Sequence, residues 1–198
     1  MTVHRYSGEV LAHEDRFDSN IRQKYSAPFM DLHRVDLQRA LFDRAKDLGV
    51  KFSLGERIEN IDFKSVTSYT GTGRRYSGDL IIAADGLWSR CRECFLGHQD
   101  EPLPTGDLAY RIVLSADQIP DPDLRAWIEN PQVHFWIGPS AHAVAYSMRG
   151  GSMFNVVLLV PDDLPTGVSR QTGSVEEMRQ LFANWDPMYA SSRLWNGG

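Results

Sequence analysis

Apolar residues at Leu37, Leu41, Ala45 and Leu48, with charged residues between them, recur at the spacing of one helix face. The pattern predicts an amphipathic helix over Val35 to Leu48, packed on a sheet and stopped by Gly49. A different rhythm follows. Val50 to Leu54, Ile58 to Phe63, Val66 to Tyr69 and Arg74 to Ser77 are short, part-apolar runs, which predicts a meander of strands. Gly71-Thr72-Gly73 reads as the hairpin turn between the last two. Leu80 to Ala83 is continuously apolar, which predicts a strand covered on both faces. It halts at Asp85-Gly86 and leads into a helix from near Ser89.

Beyond Leu103 aromatic and β-branched residues dominate. Leu108 to Leu114, Val133 to Ile137, His142 to Met148 and Met153 to Leu159 read as strands of a mostly antiparallel sheet, with a short helix over Asp121 to Asn130. Gly, Asp and Pro cluster between Gly97 and Thr105, which sets a lobe boundary there. The expected architecture is α/β (α+β): one sheet lobe over 1–100, a second over 101–187, and a divergent tail over 188–198.

At 198 residues, 42% of them hydrophobic, the chain can bury one large core or two smaller ones. A net charge of −5 without any basic run argues against nucleic acid as a partner. The longest apolar stretch, around Val156 to Val160, ends at Pro161, well short of a membrane span. Met1-Thr2-Val3-His4-Arg5 has no signal-peptide core, so a cytoplasmic protein is expected.

Candidate chemistry falls in three places. Asp85 is expected at the carboxyl end of a strand, where α/β sheets bind ligands, and Gly86 lets the backbone turn and approach one closely. That carboxylate suits ribose or ribityl hydroxyls; equally, it suits capping of the helix that follows. In the second lobe alternate strand residues share a face, so His142, Val144 and Tyr146 point together, as do Val133, Phe135 and Ile137. His142 and Tyr146 are the candidate catalytic and substrate-binding pair, able to hydrogen-bond a phenol or carboxylate and accept its proton. The alternative is a core tyrosine beside a solvent-facing histidine. Arg111 offers a planar fork to an aromatic carboxylate, or a structural salt bridge. Cys91-x-x-Cys94 lacks the further ligands of a zinc site and falls inside the expected helix, so packed thiols and no metal are expected. Trp88, Trp127, Trp136, Trp185 and Trp195 read as packing residues.

Gly78-Asp79-Leu80-Ile81-Ile82-Ala83-Ala84-Asp85-Gly86, followed by Ser89 and Arg92, resembles the Asp-Gly fingerprint of the FAD-dependent aromatic hydroxylases. Among these the chain is most similar to the salicylate hydroxylase-like flavoprotein monooxygenases. Met30 to Leu41 resembles the family segment in which an arginine, here Arg34, opens a helix and contacts the flavin. Thr105 to Arg111, Phe135 to Pro139, His142 to Asn155 and Trp185-Asp186-Pro187 are similar to the substrate-domain strands, so the likeness runs from near Gly8 to about Pro187. The resemblance implies a cofactor site in which Arg34, Asp85 and Gly86 contact FAD and Arg92 supports the turn. It implies NADH or NADPH as electron donor. It also implies a small aromatic or phenolic substrate lying on the second sheet, near Arg111, His142 and Tyr146.

The family's opening Gly-x-Gly-x-x-Gly, which holds a pyrophosphate at a helix N-terminus, does not occur in these residues. In Gly71-Thr72-Gly73-Arg74-Arg75-Tyr76 a tyrosine takes the place of the third glycine. The family's late Gly-Asp segment is not found either. The expectation is therefore a middle portion with a truncated FAD/NAD(P)-binding lobe and an exposed apolar surface that is covered by a homodimer partner or by a foreign segment. No flavin is expected to remain on the chain as isolated. Two other readings stay open: a flavin-independent enzyme of isomerase or cyclase type using His142 and Tyr146, and a non-catalytic binding module.

Overall fold

Two sheets organise the chain in the computed structural model, which describes residues 1–130 and 132–190. In chain order the elements are β1 (Thr2–Arg5), β2 (Val10–His13), α1 (Phe17–Tyr25), α2 (Arg34–Asp47), β3 (Ile58–Asp62), β4 (Thr67–Thr70), β5 (Arg75–Ser77), α3 (Arg90–Leu96), β6 (Asp107–Ser115), α4 (Pro122–Glu129), β7 (Val133–Gly138), β8 (Ala141–Met148), β9 (Met153–Pro161), α5 (Val175–Leu181) and α6 (Pro187–Ala190). They fall into two units: Phe42–Thr105, and Met1–Leu41 together with the residues from Gly106 onward.

In the unit Phe42–Thr105, β3, β4 and β5 form an antiparallel meander, with α3 beside β3. The hairpin between β4 and β5 is closed by Thr70 N–H donating to Arg74 O at 2.9 Å. Glu56 holds its tip, accepting from Thr72 Oγ1 and Arg74 Nη1.

Two expectations fail in this unit. Val50 to Leu54 is not a strand: Val50 N–H donates to Ala45 O at the helix end, and Phe52 packs its ring 4.3 Å from that of Phe42. Leu80 to Ala83 is not a buried strand either; it is irregular, with Leu80 74% and Ile82 81% exposed. A strand exists through its ladder partners, and among the described residues none pairs with this run. Its apolar side chains consequently stay uncovered. A similar correction applies to α2. The helix forms where the periodicity places it, and Gly49, at φ 84°, closes it by donating to Lys46 O. Yet none of its residues is buried, so the apolar stripe is not packed on a sheet.

The other unit is built on a six-stranded sheet in the order β2-β1-β7-β8-β9-β6, antiparallel except for β1 against β7. β1 and β2, which the sequence division at 1–100 sets in the first lobe, extend this sheet instead. Thr2 lies opposite His134 and His4 opposite Trp136. Strand alternation sends Trp136, Ala143, Ala145, Val156 and Leu158 to one face, where Ile128, Met178, Phe182 and Tyr189 close over them. Trp136 Nε1 donates to Asp186 Oδ2 at 2.8 Å across this core. The expected tail at 188–198 begins inside it, because Tyr189 is buried edge-on to Trp136 with ring centroids 5.0 Å apart. The remainder of that tail, with Trp195, lies outside the described residues.

Side chains also tie β1 to β7. Gln132 Nε2 donates to Trp127 O at 3.2 Å, which turns Gln132 Oε1 toward His134. His134 Nε2–H donates to that oxygen at 2.8 Å, leaving Nδ1 to accept from His4 Nε2–H, also at 2.8 Å. The candidate substrate residues lie on the opposite face of the sheet, where Val133, Asn155 and Val157 are also buried.

Candidate functional site

The Asp-Gly turn is built around the start of α3. Ser89 stands at the N-cap and accepts from Arg92 N–H at 3.0 Å. Asp85 Oδ2 accepts from Cys91 N–H at 2.9 Å, and Oδ1 from the Ser89 hydroxyl at 2.6 Å. The Cys91 N–H first, and the Ser89 hydroxyl second, hold the Asp85 carboxyl down at about 2. It is therefore ionised at neutral pH. Capping and ligand binding are compatible here, since each carboxylate oxygen accepts more than one hydrogen bond and the residue is exposed. Gly86, at φ 78°, has open space where a Cβ would project, so the backbone is accessible to a ligand. A groove of about 620 Å³ opens beside the turn, bordered by Asp79, Leu80, Asp85, Gly86 and Phe95.

Arg92 has a different task. Its guanidinium donates to Asp100 Oδ2, to Leu87 O at 3.0 Å and to Asp100 O at 3.1 Å. These bonds close the loop around α3, so Arg92 supports the turn and is engaged within the chain. The Cys91 thiol is pushed up to about 11 by burial and by the neighbouring Asp85 carboxylate, and Cys94 Sγ lies 3.6 Å from Glu59 O. A thiol held protonated in this way is a poor nucleophile.

In the six-stranded sheet, register brings three candidate residues to one face. The row Val133, Tyr146, Asn155, Val113 crosses β7, β8, β9 and β6. The next row is Phe135, Val144, Val157, Arg111, and the third is Ile137, His142, Leu159, Ala109. Arg111, His142 and Tyr146 thus share the face opposite the helical core. His142 is exposed and Tyr146 half-buried. Four residues apart on one strand, their backbones are about 13 Å apart, so the pair does not act as one hydrogen-bonding unit. The two residues instead stand at opposite ends of an apolar strip made by Phe135, Val144 and Val157. Arg111, on the edge strand, also borders a cavity of about 420 Å³ with Tyr110, Asp163 and Glu177.

Arg34 opens α2 as an exposed residue with no hydrogen bond or ion pair among the described residues. The same helix turn is anchored two residues later. Arg149, just after β8, grips Asp36 with Nε at 2.6 Å and Nη2 at 2.7 Å, a bidentate pair that leaves Arg34 unspent. The sequence reading passed over one residue, Asn155, which is only 8% exposed and whose Nδ2 has no partner among the described residues. Its signal was present in the chain: a lone amide inside the otherwise apolar run Met153 to Leu159.

Over 192 residues, 95% of its length, the chain is 50% identical to the FAD-dependent monooxygenase OpS4 of Beauveria bassiana (strain ARSEF 2860), covering 45% of that protein. The chain's homologues are FAD-dependent monooxygenases. A second such relative, 3-hydroxybenzoate 6-hydroxylase 2 of Aquipseudomonas alcaligenes, is 34% identical over 165 residues, which is 82% of this chain and 49% of the hydroxylase. The fold recurs in a solved structure. Klebsiella pneumoniae HpxO complexed with FAD and uric acid superposes with a TM-score of 0.74 at 22% identity, over 96% of this chain and 46% of HpxO. No protein-family model matches the chain. It spans about half the length of the monooxygenases it matches. No helix among the described residues is long and apolar enough to cross a membrane.

Proposed function

We propose that this chain is part of an FAD-dependent aromatic-ring monooxygenase, supplying the wall on which the ring lies and one turn of the cofactor site. The observation that carries the reading is the 50% identity over 192 residues to the Beauveria bassiana FAD-dependent monooxygenase. The residues on the Asp-Gly turn fit a cofactor rich in hydroxyl groups. Asp85 is an ionised acceptor with capacity to spare, and Gly86 leaves its backbone open. In the other unit, Arg34 carries an uncommitted guanidinium suited to a phosphate or ring oxygen. FAD, if held there with NADH or NADPH as electron source, would supply the oxygen activation that amino-acid side chains lack.

The chain's own residues position the ring. Phe135, Val144 and Val157 offer it an apolar floor, and Arg111 reaches an acidic substituent. His142, at the far row, is placed to accept a proton from a ring hydroxyl. The substrate class is a small hydroxylated aromatic acid, in keeping with relatives named for 3-hydroxybenzoate and 3-amino-4-hydroxybenzoate.

A graft tests the proposal. The chain replaces the matching 192-residue stretch of the Beauveria bassiana monooxygenase. The purified graft is expected to be yellow, to hold about one FAD per chain, and to lose FAD more readily once Asp85 is changed to alanine. A folded but colourless graft would mean that the Asp85 turn does not serve FAD.

A further inference from the structure

We propose that Asn155 is a specificity-determining donor on the ring wall, presenting Nδ2 to an anionic oxygen of the aromatic ligand; this inference rests on the function proposed above. A buried N–H group without an acceptor is costly, and native structures rarely keep one without a use. Asn155 is such a group: 8% exposed, flanked in sequence by Phe154 and Val156, with Nδ2 unpartnered among the described residues. Alternation turns its side chain to the face of Arg111 and Tyr146, away from the helical core that receives Phe154 and Val156.

Its neighbours define what it can recognise. Tyr146 lies directly opposite on β8, and Val113 opposite on β6. Arg111, two residues from Val113, is the diagonal neighbour on the same face, within reach of a long side chain. An amide donor, a phenol and a guanidinium therefore border one corner of the apolar strip. The three rows that run from Asn155 to Leu159 contain no aspartate or glutamate; the carboxylate on this face, Asp107, lies one row further on, opposite Pro161. A donor-rich corner without an internal carboxylate is complementary to an acceptor-rich group of negative charge, such as an aromatic carboxylate. The ring would then lie across Val144 and Val157, with its opposite end toward the His142 row.

The test uses the 198-residue chain and two probes, 3-hydroxybenzoate and phenol, followed by protein NMR titration. Asn155→Leu removes the donor while keeping the branch at Cγ, and Asn155→Asp places a carboxylate where the anion would sit. Asn155→Leu is expected to weaken 3-hydroxybenzoate binding about tenfold and Asn155→Asp by more, with phenol changed by about twofold or less. Because the amide nitrogen is unpartnered, Asn155→Leu should leave the melting temperature unchanged or raise it. Equal weakening of both probes, or a lowered melting temperature with the binding loss, overturns the inference by showing that Asn155 only shapes the wall. Wild-type binding that survives both substitutions overturns it while leaving the ring-wall reading intact. Failure of the unmodified chain to bind either probe on this face removes both together.

Discussion

Replacing Trp136 with alanine is expected to cost the sheet unit about 3–5 kcal/mol, a large share of a typical domain's stability. Trp136 is 2% exposed and stands where the parallel pairing of β1 meets the helical cover. Its ring stacks on His4 with centroids 4.6 Å apart and meets Tyr189 edge-on at 5.0 Å. Its Nε1 donates to Asp186 Oδ2 at 2.8 Å. Alanine would leave a cavity among three elements and an aspartate oxygen without its donor. Trp136→Phe keeps most of the ring and loses only the N–H, so its cost should fall nearer 1–2 kcal/mol. Urea unfolding of the two variants measures the difference; an alanine variant within about 1 kcal/mol of the parent would show that this core is not what holds the unit.

Acidification is expected to remove about 3 kcal/mol between pH 6.5 and about 4. Burial first, and then electrostatic interaction with His4, the N-terminus and His13, push His134 down to about 4. The unfolded chain takes up this proton near the ordinary value of 6.5, whereas the folded chain takes it up only near 4. Between those values the unfolded state binds more protons, so stability falls as the pH falls; above 6.5 this contribution is fully present. The geometry explains the resistance. Charging His134 puts a proton on Nδ1, against the Nε2–H that His4 points at it. The first consequence should be weaker attachment of β1 to β7. His134→Gln is expected to flatten the pH dependence in this window. A slope that persists unchanged in that variant would assign the effect to other groups.

The parts of the fold that were legible are those whose pattern is local. The β4–β5 hairpin follows from Gly71 to Gly73, and β6 to β9 follow from aromatic and β-branched runs. α4 follows from Asp121 capping a helix with Pro122 at its first position. β1 was not legible, because Thr2–Arg5 is short and half polar and its partner His134 lies 130 residues from His4. Burial of Leu80 to Ala83 was inferred from composition, but burial depends on neighbours, and the described residues supply no ladder for this run.

The candidate site divides in the same way. Period-two alternation placed His142 and Tyr146 on one face, and register between strands, which a single run cannot reveal, added Arg111 and Asn155 to it. The dual use of Asp85 was readable as two alternatives; the bonds to Cys91 and Ser89 establish the capping half of that pair. For Arg92, reading along the chain could not disclose that Leu87 and Asp100 already take up its guanidinium.

The most direct measurement of the proposed monooxygenase activity is oxygen-isotope incorporation by the graft of this chain into the Beauveria bassiana protein. The graft is supplied with FAD, NADH or NADPH, 3-hydroxybenzoate and ¹⁸O₂, and the products are analysed by mass spectrometry. One ¹⁸O atom is expected in a hydroxylated ring product, with the yield reduced when Arg111 or His142 is replaced. Consumption of the reduced nicotinamide with no labelled ring product from any hydroxylated aromatic acid tried, by a folded graft that holds FAD, would contradict the assignment of this sheet as the ring wall.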